Sequence, residues 1–182
     1  MSHSVLIKNS VAAADNRALN RSAFSGSSVT DIDNGYVFNL QSQGTAGSAL
    51  EVWLTTMAVS GSQIGLWMAA SPEIPITVDG TLVYKGLNSD PRNFYNLGGK
   101  VFDAIKLQPG DIITLSSDAL DSTTAQAFAT QTANTFKFAW AAAPAGTSVM
   151  CLRYIASVSI PIGSGAIDSQ RVTMYKFEVL YN

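Results

Sequence analysis

The chain of 182 residues carries a single imidazole, His3, and a single thiol, Cys151. Those two facts decide much of the chemistry. A serine or cysteine nucleophile needs an imidazole held within hydrogen-bonding distance, and the only one here lies near the start of the chain. A structural or catalytic zinc site draws on three or four Cys, His or carboxylate ligands, and the first two types are nearly missing. One cysteine forms no internal disulfide. Gly98-Gly99 and Gly163-Ser164-Gly165 lack the strand-to-helix setting of a phosphate or dinucleotide loop. Neither a cofactor nor a metal is expected. Paired carboxylates are the one catalytic device left open: Asp31 with Asp33, and Asp118 with Asp121. Capping or turn formation is the simpler role for such neighbours, and acid–base work on a glycosidic bond the sharper one. Asp31, Asp33 and Asn34 have Ca²⁺-ligand character, but the glycine and terminal glutamate of an EF-hand loop are missing. Cys151 sits in an apolar alternating run and reads as a buried, inert thiol. Asn20-Arg21-Ser22 fits the glycosylation pattern, which matters only on a secretory route. Met1 to Ser10 holds one Lys and no long apolar core, unlike a secretory signal. The chain is read as non-enzymatic.

Binding chemistry is better represented. Arg17, Asn20, Arg21 and Phe24 bring two guanidiniums and an aromatic ring within eight residues. These types are enriched at protein interfaces, and Arg pairs with a carboxylate through two parallel hydrogen bonds. They are the candidate interface residues. Their surroundings, residues 1–33, are rich in Ser, Ala and Asn with no clear helical or strand period, so this stretch is expected to be an extended N-terminal arm. Up to residue 25 it holds Lys8, Arg17 and Arg21 against Asp15 alone, leaving 8 basic and 12 acidic residues for the rest. The plain alternative for the arm is a solvated tail that touches nothing.

Residues 34–182 are expected to form a β-rich domain. Tyr36, Phe38 and Leu40 alternate with Val37, Asn39 and Gln41, close to the period of two of a half-buried strand. Leu50, Val52 and Leu54 alternate around Trp53. Ile64 to Ala70 is a short apolar run around Trp67, limited by Pro72 and Pro75. Asp79-Gly80 between two apolar runs is a hairpin signal. Pro109-Gly110 marks a turn between the run ending at Leu107 and the one starting at Ile112. Phe136, Phe138 and Trp140 alternate, as do Met150 to Ile162 and Val172 to Tyr181. Asp118 to Asn134 is read either as a short helix capped by Asp118 or as a polar excursion. The three tryptophans fall inside strands, where packing outweighs a stacking role. Leu54, Val83, Phe102, Leu115, Phe138 and Phe177 lie on the apolar register and are the expected core. The fold class expected is all-β: a single antiparallel β-sandwich or β-barrel with an extended N-terminal arm and at most one or two short helices.

Composition fits this. The hydrophobic fraction is 47%, the charged fraction 13% and the formal net charge −2. Charge is about half the usual ~25%, which excludes an intrinsically disordered polyelectrolyte. So small a net charge gives no overall reason to bind nucleic acid or an anionic membrane. No apolar run approaches the ~18–20 residues that cross a bilayer as a helix.

One series of segments adds a resemblance. In order it runs Ala14-Asp15-Asn16-Arg17, Asn20-Arg21-Ser22-Ala23-Phe24, Glu51-Val52-Trp53, Gly65-Leu66-Trp67-Met68-Ala69 and Leu82-Val83-Tyr84-Lys85-Gly86-Leu87. Asp90-Pro91-Arg92-Asn93-Phe94-Tyr95-Asn96, Val101-Phe102-Asp103-Ala104, Lys106-Leu107-Gln108-Pro109-Gly110-Asp111 and Asp118-Ala119-Leu120-Asp121-Ser122 continue it. Across residues 10 to 122 this series resembles the head decoration, or cement, proteins of tailed bacteriophages, auxiliary capsid proteins encoded beside the major capsid protein. The resemblance implies a β-rich, non-enzymatic virion structural protein, assembled in the host cytoplasm. It would bind the major capsid protein on the outer capsid surface and stabilise contacts between capsomers, as a homo-oligomer. Low charge density with abundant Ser, Thr and Ala suits close, largely neutral interfaces. An arm that orders on a neighbour would defer its entropy loss until the lattice is present. The alternative reading is a head- or tail-fibre binding module that recognises host-surface glycans through exposed aromatics, and a third is a carbohydrate-active enzyme using paired carboxylates.

Overall fold

The computed structural model describes residues 3–25, 31–43, 51–72, 76–79, 82–85, 91–162 and 170–182. Among them, thirteen strands form a six-stranded sheet, a closed barrel and a separate hairpin. The sheet runs β1 (Leu6–Ser10), β9 (Ile112–Ser116), β13 (Gln170–Tyr181), β12 (Cys151–Ile162), β10 (Phe128–Gln131) and β11 (Phe138–Ala141), in that spatial order. Every pairing in it is antiparallel. The barrel runs β2 (Asn20–Phe24), β4 (Val52–Thr56), β3 (Val37–Gln43), β5 (Trp67–Ala69) and β8 (Val101–Ile105), and β8 closes back on β2. The hairpin joins β6 (Ile76–Asp79) to β7 (Leu82–Lys85), flanking the Asp-Gly signal.

The all-β class expected from period-two alternation is what the chain adopts. Phe102 and Ala104 are buried on β8 while Val101 and Asp103 face out, the pattern a strand with one covered face must show. The Pro109-Gly110 turn leads from β8 in the barrel to β9 in the sheet, with Gly110 at φ +93°. Asp118 lies inside a one-turn 3-10 helix, Ser117–Ala119, whose N-cap is Ser116, and a loop then leads to β10.

Two expectations need correction. The barrel is not wholly antiparallel, because β2 pairs with β4 in parallel register, Ser22 opposite Val52. Nor do the described residues before 34 form an extended arm set apart from a domain starting there. β1 borders the sheet through β9, and β2 lies between β4 and β8 to close the barrel. Val5, Leu6, Val11, Ala13 and Ala23 are buried. The reason the period was hidden is chemical: β2 points a single small residue, Ala23, inward, and β1 only the start of its length.

One core links the two sheets. Val37, Met68 and Ile105 from the barrel pack with Leu6, Ile113, Leu115, Phe138, Leu152 and Phe177 from the sheet. A smaller cluster fills the barrel, where Phe38 and Phe102 meet edge to face at 5.7 Å between centroids. Of the expected core residues, Phe102, Leu115, Phe138 and Phe177 are buried. Leu54 is only half-buried, because its neighbour Thr55 takes the inward place and its hydroxyl donates to the Phe24 carbonyl at 3.2 Å. The Val83 side chain lies outside the described residues.

Two buried carboxylates fix the first strand at both ends. Asp33 accepts from the Ser4 backbone N–H at 3.0 Å and pairs with His3 Nδ1 at 2.8 Å. Asp111 accepts from Ala12 N–H at 2.8 Å through one oxygen and from Gln108 N–H at 2.8 Å through the other. Beside Asp33, Gly35 turns the chain into β3 at φ +88°, and a Cβ there would stand 2.7 Å from Leu115 Cδ2. Both the dihedral and the space demand glycine.

Phe138→Ala and Phe177→Ala should each cost about 3–5 kcal/mol, read as a lowered midpoint in chemical denaturation. Deleting residues 2–24 should abolish cooperative unfolding altogether, since it uncovers β9 and opens the barrel between β4 and β8. A truncated chain that keeps a single sharp transition near that of the full chain would contradict this.

Candidate functional site

The seam between barrel and sheet holds a cleft of about 620 Å³. Its cations come from three neighbouring pieces of chain: Lys8 on β1, Arg17 on the one-turn helix Arg17–Leu19, and Arg21 on β2. Glu51 and Asp103 supply acidic groups to the same lining. Among the described residues none of the three cations has an ion-pair partner within 4.0 Å. Lys8 Nζ reaches across the seam to the Ala70 carbonyl at 3.2 Å. Arg21 donates to the Asn20 carbonyl at 2.9 Å, and its Cζ lies 5.6 Å from the centroid of the Trp67 ring. The guanidinium is thus held by a π-face and a carbonyl. A second cavity, of about 580 Å³, shares Lys8, Asn20 and Ile105 with the first and follows the chain from β1 to Asp15.

Local hydrogen bonds explain why this stretch is shaped as it is. Asn16 caps the turn at 17–19 by accepting from Ala18 N–H at 3.0 Å. Asn20 Nδ2 donates to the Ala13 carbonyl at 2.7 Å and to the Asn16 carbonyl at 3.0 Å, tying two one-turn helices together. Such side-chain bonds satisfy backbone groups that short helices leave bare. The structure therefore brings Arg17, Asn20 and Arg21 to one cleft, with Asn20 acting through the backbone around it. Phe24 lies at the other end of β2, opposite Val101 on β8 and roughly 13 Å along the strand from Asn20. Glu51 and Asp103 were not legible as members, because only the pairing of β2 with β4 and β8 brings them alongside.

The remaining candidates disperse. Asp31 accepts from Gly98 N–H at 2.9 Å, whereas Asp33 serves His3 and Ser4. Asp121 accepts from Trp140 N–H at 3.2 Å. Among the described residues no three His, Cys, Asp or Glu side chains come together as a metal site. Trp140 is turned inward, its Nε1–H donating to the Ser122 carbonyl at 2.9 Å and its ring packed on Tyr154, Tyr175 and Phe177. A shallower depression of about 300 Å³ is lined by Phe94, Tyr95, Leu97 and Val101, with His3 stacked on Tyr95 at 4.5 Å.

Burial pushes the Cys151 thiol above its ordinary range. The Tyr36 phenol is pushed up as well, by desolvation first and then by the negative charges of Asp33 and Asp118. Neither shift marks a reactive group; each keeps a neutral form neutral. No known protein family, no characterised protein and no solved structure matches this chain.

Both groups bind their protons more tightly in the folded state than in the unfolded one. Their contribution is therefore fully present at neutral pH and is lost as pH rises past 9.0 and 10.0, the ordinary values of thiol and phenol. Denaturation midpoints should fall through that alkaline range. A disulfide reagent at pH 8 should modify Cys151 only as fast as the protein opens, and rapid labelling of the native chain would contradict its burial.

Proposed function

We propose that this protein is a non-enzymatic structural component of a virion. It binds the outer capsid surface, contacts the major capsid protein, braces neighbouring capsomers and acts as a homo-oligomer. The observation that carries this reading is the seam cleft: Lys8, Arg17 and Arg21 stand together without ion-pair partners among the described residues. Their setting is a chain with only 13% charged residues. Such a body offers a neutral surface for close packing and one charged anchor for register, the division of labour expected of an interface core and its polar contacts. The resemblance across residues 10 to 122 supports the same role. Anchoring by a folded seam replaces anchoring by a loose arm, since Arg17 and Arg21 sit on ordered turns and strands.

The test begins with virions of the phage that encodes the chain. Mass spectrometry should find the chain in purified particles, and cryo-electron microscopy should place it on the outside of the shell between capsomers. Arg17→Ala with Arg21→Ala should then weaken binding to undecorated heads by about 1–3 kcal/mol, if these side chains are desolvated on docking. A chain missing from virions overturns the proposal. A chain confined to fibres replaces it with the glycan-binding module.

A further inference from the structure

We infer that the seam cleft is a carboxylate-binding site that receives an extended acidic segment of a protein partner, clamped by Lys8 and Arg17 against a fixed Arg21. This rests on the interface reading above and names the chemistry of its anchor. The three cations differ in freedom. Arg21 is held by Trp67 and the Asn20 carbonyl, so its plane is set before any ligand arrives. Lys8 spends its ammonium on one carbonyl, Ala70, at 3.2 Å, a bond that a carboxylate would displace with gain of charge. Arg17 is exposed on a turn whose backbone is tied by Asn16 and Asn20. A fixed fork flanked by two cations that can swing suits a planar carboxylate, which takes a bidentate partner on one side and point charges on the other.

The acidic residues of the lining decide against a polyanion. Glu51 and Asp103 leave the cleft with three positive and two negative groups. One carboxylate is balanced by that excess; a run of phosphates, as in nucleic acid, would meet repulsion from both. Glu51 is moreover held at φ +51°, left-handed backbone that disfavours any residue with a Cβ. Strain of this kind persists where surrounding structure imposes it, and it concentrates at ligand clamps. It keeps an acceptor in the wall, where it can take backbone N–H groups or a cation from the incoming chain. The site is also too long for a single small anion. It continues into the second cavity along exposed Lys8, Asn9 and Ser10 of β1, the strand at the border of the sheet. Extended segments bind where a sheet border and side-chain pockets run together.

Isotope-labelled full chain should be titrated with a blocked pentapeptide carrying one glutamate, with its glutamine counterpart, with inorganic phosphate and with a single-stranded oligonucleotide, read by NMR. The glutamate peptide should shift the amides of residues 8, 17, 20, 21 and 103, with affinity that falls as salt rises. The glutamine peptide should bind at least about tenfold more weakly. Lys8→Ala with Arg17→Ala should cost about tenfold or more, Arg17→Ala alone should weaken binding with the melting temperature unchanged, and Arg153→Ala, whose partner is Glu178 on the neighbouring strand, should cost nothing. Equal binding of the two peptides overturns the inference. So does glutamate binding that the double variant leaves intact, or tighter binding of phosphate or oligonucleotide at the same amides. Glutamate-dependent binding by a chain missing from virions keeps the site and removes the capsid. A chain found on capsids whose cleft ignores the peptide does the reverse.

Discussion

Two buried carboxylates, Asp33 and Asp111, grip the first strand from opposite ends, and most of the molecule's organisation depends on that grip. Each spends both oxygens on donors that include a backbone N–H of the N-terminal stretch. Charge-assisted bonds of this kind are roughly twice as strong as neutral ones, and a buried carboxylate without them would be costly. The consequence is topological. With Ser4 and Ala12 fixed, the chain has to run along β9 as β1 and then cross within a few residues to the barrel as β2. That crossing puts Arg17 and Arg21 beside Lys8. The cleft exists because one short piece of chain belongs to both sheets.

How much of this was legible follows from which forces write themselves into a local pattern. Burial of one strand face does, so β3, β11 and the long strands β12 and β13 could be read from alternation alone. Pairing does not. Nothing local in Asn20 to Phe24 distinguishes a loose arm from a strand whose neighbours come from residues 52–54 and 101–105. Ala23 is fully buried, yet one alanine carries no periodic signal. Leu54 shows the reverse failure: an apolar residue in good alternation yields the inward place to Thr55, because a hydroxyl there can satisfy the Phe24 carbonyl. Asp33 looked like an ordinary turn or capping residue, and Asp111 does accept one bond local to its turn, from Gln108 N–H. What the pattern concealed was the donor arriving from residues 3, 4 and 12.

The same logic separates the visible part of the site from the hidden part. Arg17, Asn20 and Arg21 were legible because their types are adjacent in sequence. Lys8 was legible only as part of a local charge excess, and Glu51 and Asp103 not at all, since their membership depends on register. Those two acids change the chemistry most. Without them the cleft would be a generic basic patch; with them its lining holds a single excess positive charge.

An ordered seam also alters the energetics of any binding at the cleft. A flexible arm would lose about 1–2 kcal/mol per residue in backbone entropy as it froze onto a partner. Over the fourteen residues from Val11 to Phe24 that cost would exceed what a few charged contacts return. Here folding has already fixed that segment, through Asp111, Asn16, Asn20 and the two pairings of β2. Only the Lys8 and Arg17 side chains remain to be ordered, at about 2 kcal/mol of rotamer entropy each at most. Preorganisation of this sort lets a small number of contacts hold a ligand, because little of their strength is spent on building the site. It also couples any binding at the cleft to the folding of the seam. A change that loosens the grip of Asp33 or Asp111 weakens binding through the seam even though neither carboxylate lines the cleft, and its binding loss should scale with its loss of stability. A change at exposed Arg17 should weaken binding with stability untouched.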